Sequence, residues 1–150
     1  MKFRDANIDD LPTIVELLAD DPLGATREEF SMPLPEAYIT AFSELREQDG
    51  NRLIVGVDDH EIVRACLQLT LIPGIARRGM KRALIEGVRV HSDVRGTSIG
   101  TEIFQYAIQE ARKAGCGLIQ LTTDKTRPDA HRFYGKLGFE DSHIGMKLIL

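Results

Sequence analysis

The order of apolar and polar positions predicts alternating strands and helices, most clearly in the second half of the chain. Residues 82–91 (RALIEGVRVH) and 117–124 (GLIQLTTD) have the composition of mostly buried strands. Between them, apolar side chains recur every three or four positions, which predicts a helix over residues 97–114. The inner stripe of this helix consists of Ile99, Ile103, Ala107 and Ala111.

The pattern continues with a short helix and a final stretch of strand-like residues. The helix is predicted over residues 126–137 and ends at Gly138. Residues 139–150 (FEDSHIGMKLIL) predict a closing pair of strands.

The first half of the chain is less regular. It predicts a strand at residues 2–6, a helix capped by Asp9, a second helix from Pro35, and two strands joined at residues 58–60. Strands that alternate with helices favour an α/β fold, in which a mixed sheet carries helices on both faces. The length of 150 residues predicts one domain over residues 1–150.

Composition narrows the classes of function. The net charge is -4, which argues against nonspecific binding of nucleic acid, and no apolar run is long enough to span a membrane. Cys66 and Cys116 lie far apart, and the four histidines form no pair at ligand spacing, so we expect no metal site. The first residues have no apolar core of a signal peptide, and with the two thiols they predict a reducing, cytoplasmic setting.

One stretch of this acidic protein is basic. Residues 77–95 contain six Lys or Arg and two acidic residues, and they end at the loop that precedes the predicted helix over residues 97–114. That loop, RGTSIG, offers the charge of Arg95, flexible backbone at Gly96 and Gly100, and the unpaired N–H groups of a helix start. These are the features of a phosphate site. Simple capping of the helix by Ser98 explains the same residues equally well.

The chain resembles the GNAT acetyltransferase superfamily at two motifs. The acetyl-CoA pyrophosphate loop of that family follows [RQ]-x-x-G-x-[GA], for which this chain supplies Arg95, Ser98 and Gly100, with Ser98 in place of the middle glycine. The second signature, A-x-x-[FL]-Y-x-x-x-G-F, is met in full by AHRFYGKLGF, residues 130–139. The resemblance implies a single GNAT domain whose mostly antiparallel sheet splays at the cofactor site. It also implies acetyl-CoA as co-substrate.

The resemblance assigns roles to several positions. Tyr134 would be the general acid that protonates the departing thiolate of CoA. The backbone N–H groups of Val88 and Val90 would bind the thioester oxygen and the pantetheine arm. The pyrophosphate would lie against the loop and the first helical turn, formed by Arg95, Gly96, Thr97, Ser98, Ile99, Gly100 and Thr101.

Glu86 is the second catalytic candidate, as a general base acting directly or through water. In strict alternation it shares a face with Leu84, Val88 and Val90, where a carboxylate is costly unless it is paired or borders a cleft. An ion pair with a neighbouring arginine remains an equal alternative. The adjacent Gly87 predicts a β-bulge.

Three further residues are cofactor-binding candidates. Arg127 stands where many family members have an asparagine that touches the pantetheine arm, and it either contacts the cofactor phosphates or is solvated. Asp124 and His131 lie along the same approach.

The predicted function is transfer of an acetyl group from acetyl-CoA to a primary amine by direct attack. A small-molecule amine is the favoured acceptor. The alternative is a non-catalytic acyl-CoA-binding or regulatory domain on the same fold. A homodimer is a further expectation, with residues 139–150 as the candidate contact.

Overall fold

The architecture is one five-stranded mixed sheet flanked by helices, in a computed structural model that describes residues 1–20 and 23–150. The strands are β1 (Lys2–Asp5), β2 (Asn51–Val57), β3 (Val63–Ile72), β4 (Arg82–Val90) and β5 (Leu118–Leu121). The helices are α1 (Leu11–Ala19), α2 (Glu36–Glu47), α3 (Ala76–Gly79), α4 (Ile99–Lys113) and α5 (Pro128–Lys136). Short 3-10 turns lie at Ile8–Asp10, Gly24–Thr26 and Ser92–Val94. None of the helices in these residues is long and apolar enough to cross a membrane.

The sheet opens between β4 and β5. The strands lie in the order β1-β2-β3-β4-β5; the first four are antiparallel, and β5 runs parallel to β4. Only residues 82–85 of β4 pair with β5, at residues 118–121. Across the described part of the chain, the second half of β4 therefore has a strand partner on one side only, β3. The predicted splay between these two strands is confirmed.

Helices cover both faces of the sheet, as predicted. On one face, the inner stripe of α4 packs on β2, β3 and β4, with Ile103 and Ala107 fully buried. The aromatic residues of α5 join this same cluster. On the other face, Ile14 and Leu17 of α1 pack on β2 and β3.

The start of α1 differs from the prediction. Asn7, not Asp9, caps the 3-10 turn Ile8–Asp10 that leads into α1: its side chain accepts a hydrogen bond from the Asp9 amide, and its own amide donates one to the Asp10 carboxylate. Arg4 closes the arrangement with two hydrogen bonds to the buried Asp10 carboxylate, at 2.6 and 3.0 Å. Asp9 and Asp10 look alike in the sequence. Arg4 on β1 lies where it bonds to Asp10, so Asp10 is the aspartate that this arrangement holds in place.

Gly87 forms the predicted bulge. Its φ is +59°, in the left-handed region, and the register with β3 is irregular between the partners Cys66 and Gln68. Val88 and Val90 therefore pack on the same cluster as Ala83 and Ile85. The expected row that joins Glu86 to Val88 and Val90 is wrong, because the extra residue of the bulge reverses which side chains face each side.

Residues 139–150 do not form the predicted strand pair. They contain no strand, and Ile144, Met146, Leu148, Ile149 and Leu150 are between 83% and 112% exposed. The alternation of apolar side chains is real, but a strand needs a ladder of hydrogen bonds with another strand. The segment passes close to the residue that follows β5: a Cβ added to Gly145 would lie 3.6 Å from the Thr122 side chain. The segment does not pair with β5 as a strand.

Candidate active site

The loop before α4 exposes unpaired backbone donors. Gly96 has a φ of +79°, a backbone conformation that residues other than glycine rarely adopt. The N–H groups of Ser98, Gly100 and Thr101 donate to no acceptor among the described residues. They lie at the positive end of the α4 dipole. These donors fit the phosphates of a cofactor such as CoA.

The hydroxyl groups of the loop are already engaged. Thr97 Oγ1 donates to the Val94 carbonyl at 2.7 Å and lies 3.4 Å from the Ile99 amide. The Ser98 hydroxyl bonds to Glu102 and makes no capping bond to the helix. Capping by Ser98, the alternative considered for this loop, is therefore not the role of its side chain in this structure.

Arg95 is held on both sides. Its Nε donates to the Val90 carbonyl at 3.0 Å, and its Nη2 donates to the Asp20 carbonyl at 2.8 Å and to the Asp20 carboxylate at 2.7 Å. Both side chains remain about half exposed. The guanidinium thus bridges the end of β4 and the end of α1. Asp20 was missed from the sequence, since no local pattern joins two residues 75 positions apart.

The second half of β4 directs N–H groups into the opening of the sheet. The His91 amide donates to Arg64 on the β3 side at 2.8 Å. Successive N–H groups of a strand alternate in direction, so the Val90 N–H faces away from β3, and that of Val88 follows the same alternation. The bond from Arg95 to the Val90 carbonyl lies on this open side too. These two donors suit the extended arm of a ligand that enters the splay.

Glu86 lies at the mouth of the bulge, exposed and unpaired. It makes no hydrogen bond or ion pair with any of the described residues. The alternative role of Glu86, an ion pair with a neighbouring arginine, is therefore not seen among the described residues. An unpaired carboxylate beside the opening is available to accept a proton.

Tyr134 projects from α5 into a cluster of aromatic rings. Its ring centroid lies 5.5 Å from those of Phe104 and Phe133 and 6.2 Å from that of Phe139. Its hydroxyl has no hydrogen-bond partner in the described residues. Burial raises the pKa of Tyr134, against the opposing charges of Arg127 and Arg89. The phenol is therefore protonated at neutral pH and is uncommitted as a donor.

The start of α4, the end of β4 and α5 meet at Gly100. A Cβ at this position would lie 3.5 Å from the Phe133 ring and 3.8 Å from a methyl of Val90. The open donors of α4, the β4 strand and the helix that carries Tyr134 are therefore neighbours.

The remaining candidates line the start of α5. Asp124 accepts two hydrogen bonds from Thr126, at 2.9 and 2.7 Å, which lower its pKa. The His131 ring lies 3.0 Å from the Asp124 carbonyl. Both therefore serve the turn into α5. Arg127 is close enough for its charge to act on Tyr134 and Asp124.

Neither cysteine is placed for nucleophilic chemistry. Cys66 is fully buried, and burial raises the pKa of its thiol to about 12. Its Sγ lies 3.7 Å from the Gly87 carbonyl, where it is a weak neutral donor. Cys116 packs at the start of β5, and burial raises the pKa of its thiol too.

Two defined cavities of about 200 Å³ lie away from this opening. One lies between α2 and β2 and is lined by Phe42 and Arg52, among others. The other lies against α1 and is lined by Leu11, Met32 and Leu34, among others. We call the opening along the second half of β4, where β5 no longer pairs with it, the groove.

Comparison with known proteins places the chain among acetyltransferases. It is 42% identical over 60 residues, 40% of this chain, to an aminoalkylphosphonate N-acetyltransferase from Salmonella typhimurium. It is 26% identical over 142 residues, 95% of this chain, to an uncharacterised N-acetyltransferase from Methanocaldococcus jannaschii. The aligned parts span 39% and 62% of these two relatives.

A crystal structure of a transcriptional regulator from Bacillus halodurans C-125 covers 99% of both chains, with 47% identity and a TM-score of 0.96. The profile of the acetyltransferase (GNAT) family matches residues 13–139, which include the loop before α4 and the helix of Tyr134. The two motifs, the splayed sheet and this match agree, and the chain belongs to the acetyltransferase (GNAT) family.

Proposed function

We propose that this protein is an acetyl-CoA-dependent N-acetyltransferase that moves the acetyl group to the primary amine of a small molecule. The observation that carries the proposal is Tyr134, a half-buried phenol with a raised pKa and no hydrogen-bond partner among the described residues. It stands beside a groove of open backbone donors. A structural tyrosine at such a depth would be expected to bond its hydroxyl to the protein.

The co-substrate would lie along the groove. Its pyrophosphate would be bound by the N–H groups of Ser98, Gly100 and Thr101, and its arm by Val88 and Val90. A bound acetyl-CoA supplies an activated acyl group and a thiolate leaving group. Tyr134 supplies the proton that the thiolate needs, and Glu86 accepts a proton from the ammonium group of the acceptor, directly or through water, so that the neutral amine can attack.

Direct attack by the amine is favoured over a covalent enzyme intermediate. A nucleophilic cysteine needs a lowered thiol pKa and access to the substrate. Cys66 has neither, and Cys116 packs at the start of β5, on the far side of the paired segment from the groove. Their free thiols agree with a cytoplasmic setting.

The proposed acceptor class is a small amine. The Salmonella relative acts, by its name, on aminoalkylphosphonates, which are small primary amines. The acidic first thirty residues favour a cationic amine instead. An acceptor panel therefore needs aminoalkylphosphonates, amino acids, polyamines and aminosugars.

The test is release of free CoA thiol from acetyl-CoA across that panel, with mass spectrometry of the acetylated product. We expect turnover with at least one small amine, and loss of turnover in Tyr134→Phe. Absence of product with every amine in the panel, despite measurable binding of CoA, would contradict the proposal.

A regulatory acyl-CoA-binding domain is the second candidate. The observation in its favour is the 47% identical structure, which is described as a transcriptional regulator. Such a domain needs the groove but has no use for a proton donor at Tyr134 or a base at Glu86. Binding of CoA without turnover, unchanged by Tyr134→Phe, would support this candidate.

A further inference from the structure

The cavity between α2 and β2 has a volume of about 200 Å³, and no step of the proposed reaction uses it. We call it the α2–β2 cavity. The side chains that decide its chemistry are those of Phe42, Leu45, Arg46, Asn51, Arg52 and Leu53. At about 30 Å³ for each water, the volume corresponds to roughly six or seven waters, so it admits one small organic molecule.

The α2–β2 cavity lies toward the other end of the sheet from the groove. Asn51, the first residue of β2, pairs with Thr70, and Thr70 pairs with Leu84. Leu84 lies in the part of β4 that pairs with β5, whereas the groove follows the second half of β4. The cavity is therefore a site of its own and not a branch of the groove.

One side of the cavity is apolar. Phe42 is buried and packs with Leu11 and Val15 of α1. Leu53 packs against the same cluster, and Leu45 lies one helical turn after Phe42 and lines the cavity beside it. These side chains offer a compact hydrophobic surface to the body of a ligand.

Arg52 forms a polar wall whose position is fixed. Its Nε donates to the Asp5 carboxylate at 2.8 Å, and its Nη1 donates to the Glu110 carboxylate at 2.7 Å. These carboxylates balance the charge of Arg52. Among the described residues that line the cavity, Asp5 has the one carboxylate, and its charge is already balanced. The cavity therefore offers no excess negative charge to a cation.

Asn51 presents a hydrogen-bond donor to the cavity. Its Oδ1 accepts bonds from Gln68 Nε2 at 3.0 Å and from Thr70 Oγ1 at 3.1 Å, and this fixes which way the amide points. Its Nδ2 donates one hydrogen to Gln48 Oε1 at 3.2 Å. An amide nitrogen carries two hydrogens, so the second is left for a ligand.

Arg46 supplies an unbalanced positive charge at the rim of the cavity. Its guanidinium carbon lies 5.9 Å from the centroid of the Phe42 ring, a contact that holds the group over the apolar side. It makes no hydrogen bond or ion pair within residues 1–20 and 23–150. A planar guanidinium binds a carboxylate through two parallel hydrogen bonds. Arg46 is thus placed to hold an anion whose body lies in the cavity.

We propose that the α2–β2 cavity binds a small organic acid, with its carboxylate on Arg46 and Asn51 and its apolar body against Phe42 and Leu45. The polar groups left for a ligand are hydrogen-bond donors, which an anion satisfies and a cation does not. A purely apolar molecule would bury these donors without partners, which costs free energy. An inorganic anion would leave the apolar side uncovered.

Arg46 also has a simpler explanation, as a cation in the last turn of α2 that offsets the negative end of the helix dipole. Arg112 has the same place in the last turn of α4 and is exposed as well. It has the helix-end role without the cavity, which makes it the matched control. The inference does not depend on the proposed reaction, and its test measures binding without any turnover.

The first experiment titrates the protein with benzoate, and with benzamide as the neutral match, while proton–nitrogen correlation spectra show which backbone amides shift. We expect benzoate to bind in the millimolar range or tighter, as suits a ligand of so few atoms, and to shift the amides of residues 42–46 and 51–53. Benzamide should bind at least about tenfold more weakly, because it has no charge for Arg46. Equal binding of the two probes, or no shift of these amides at about 10 mM benzoate, would overturn the proposal.

The second experiment compares Arg46→Gln with Arg112→Gln, because each removes one charge from an exposed last turn of a helix. We expect Arg46→Gln to weaken benzoate about three- to fivefold, the size of one ion pair at an exposed site, and Arg112→Gln to leave the affinity unchanged. Thermal melting verifies that both variants are folded, and benzoate should raise the midpoint of Arg112→Gln more than that of Arg46→Gln. Equal weakening in the two variants, or the same amide shifts with sodium sulfate, would show a response to charge alone and would overturn the proposal.

Discussion

Replacing Tyr134 by phenylalanine tests the proposed chemistry most directly. The change keeps the ring, and with it the contacts to Phe104, Phe133 and Phe139, all within 6.2 Å between centroids. It removes a hydroxyl that bonds to no described residue. We therefore expect the free energy of unfolding to change by less than about 1 kcal/mol, since no internal hydrogen bond is lost.

The expected effect on the rate is much larger. A positioned general acid contributes at least about 10²-fold, so kcat should fall by about that factor. This corresponds to about 2.7 kcal/mol of transition-state stabilisation, because each 1.36 kcal/mol is a factor of ten. The affinity for CoA should change little, as the lost interaction is made mainly in the transition state.

Tyr106→Phe is the matched control. Tyr106 stacks on Phe3 with 5.3 Å between ring centroids, at the β1 side of the sheet. Its hydroxyl interacts with Arg52, so this change should lower stability and leave kcat near normal. The assays are thiol release for kcat and thermal or denaturant melting for stability. A Tyr134→Phe protein with unchanged kcat and reduced stability would refute the general-acid assignment and make Tyr134 a structural residue.

Four further substitutions probe the groove and the fold. Arg95→Ala should weaken CoA binding by about 1.5–3 kcal/mol, the range for hydrogen bonds to charged groups, and calorimetry at two salt concentrations should show the difference shrinking as salt rises. Ser98→Gly should leave CoA affinity nearly unchanged, because the serine hydroxyl bonds to Glu102 and not to the helix start; a large loss would mean that this hydroxyl binds phosphate. Glu86→Gln should lower the rate most at low pH, where the amine arrives protonated, and a pH–rate profile of unaltered shape would remove Glu86 as base. Asp10→Asn should cost about 1.5–3 kcal/mol of stability at neutral pH. Burial opposes ionisation of Asp10, but hydrogen bonds from Arg4 and the Asn7 amide outweigh it and lower its pKa, so the difference should be full above the unfolded pKa and vanish as the pH falls through the folded value.

Local patterns predicted the parts of the fold that depend on local geometry. The stripe of Ile99, Ile103, Ala107 and Ala111 is buried as the helical period requires. Gly87 forms a bulge because glycine accepts the positive φ that a bulge imposes. The prediction that Glu86 shares a face with Val88 and Val90 was wrong because of the same bulge, since strict alternation does not count its extra residue.

The features that were missed depend on distant partners. Asn7 displaces Asp9 as the cap because Arg4 fixes Asp10 from another element. The bond between Arg95 and Asp20 joins the ends of β4 and α1. Residues 139–150 have the period of a strand, but strand formation depends on an available edge, which no pattern within the segment reveals.

The bond between Arg95 and Asp20 has a consequence for the order of events at the groove. One guanidinium is shared between the end of α1 and the proposed phosphate loop, so a phosphate that draws Arg95 toward itself would work against its bonds to Asp20. The two equilibria are then linked, and the linkage is reciprocal: whatever moves residue 20 away from Arg95 alters cofactor affinity by the same factor by which the cofactor alters that movement. A spectroscopic probe at the end of α1 would in that case respond to CoA without touching it, and so report occupancy of the groove from outside it.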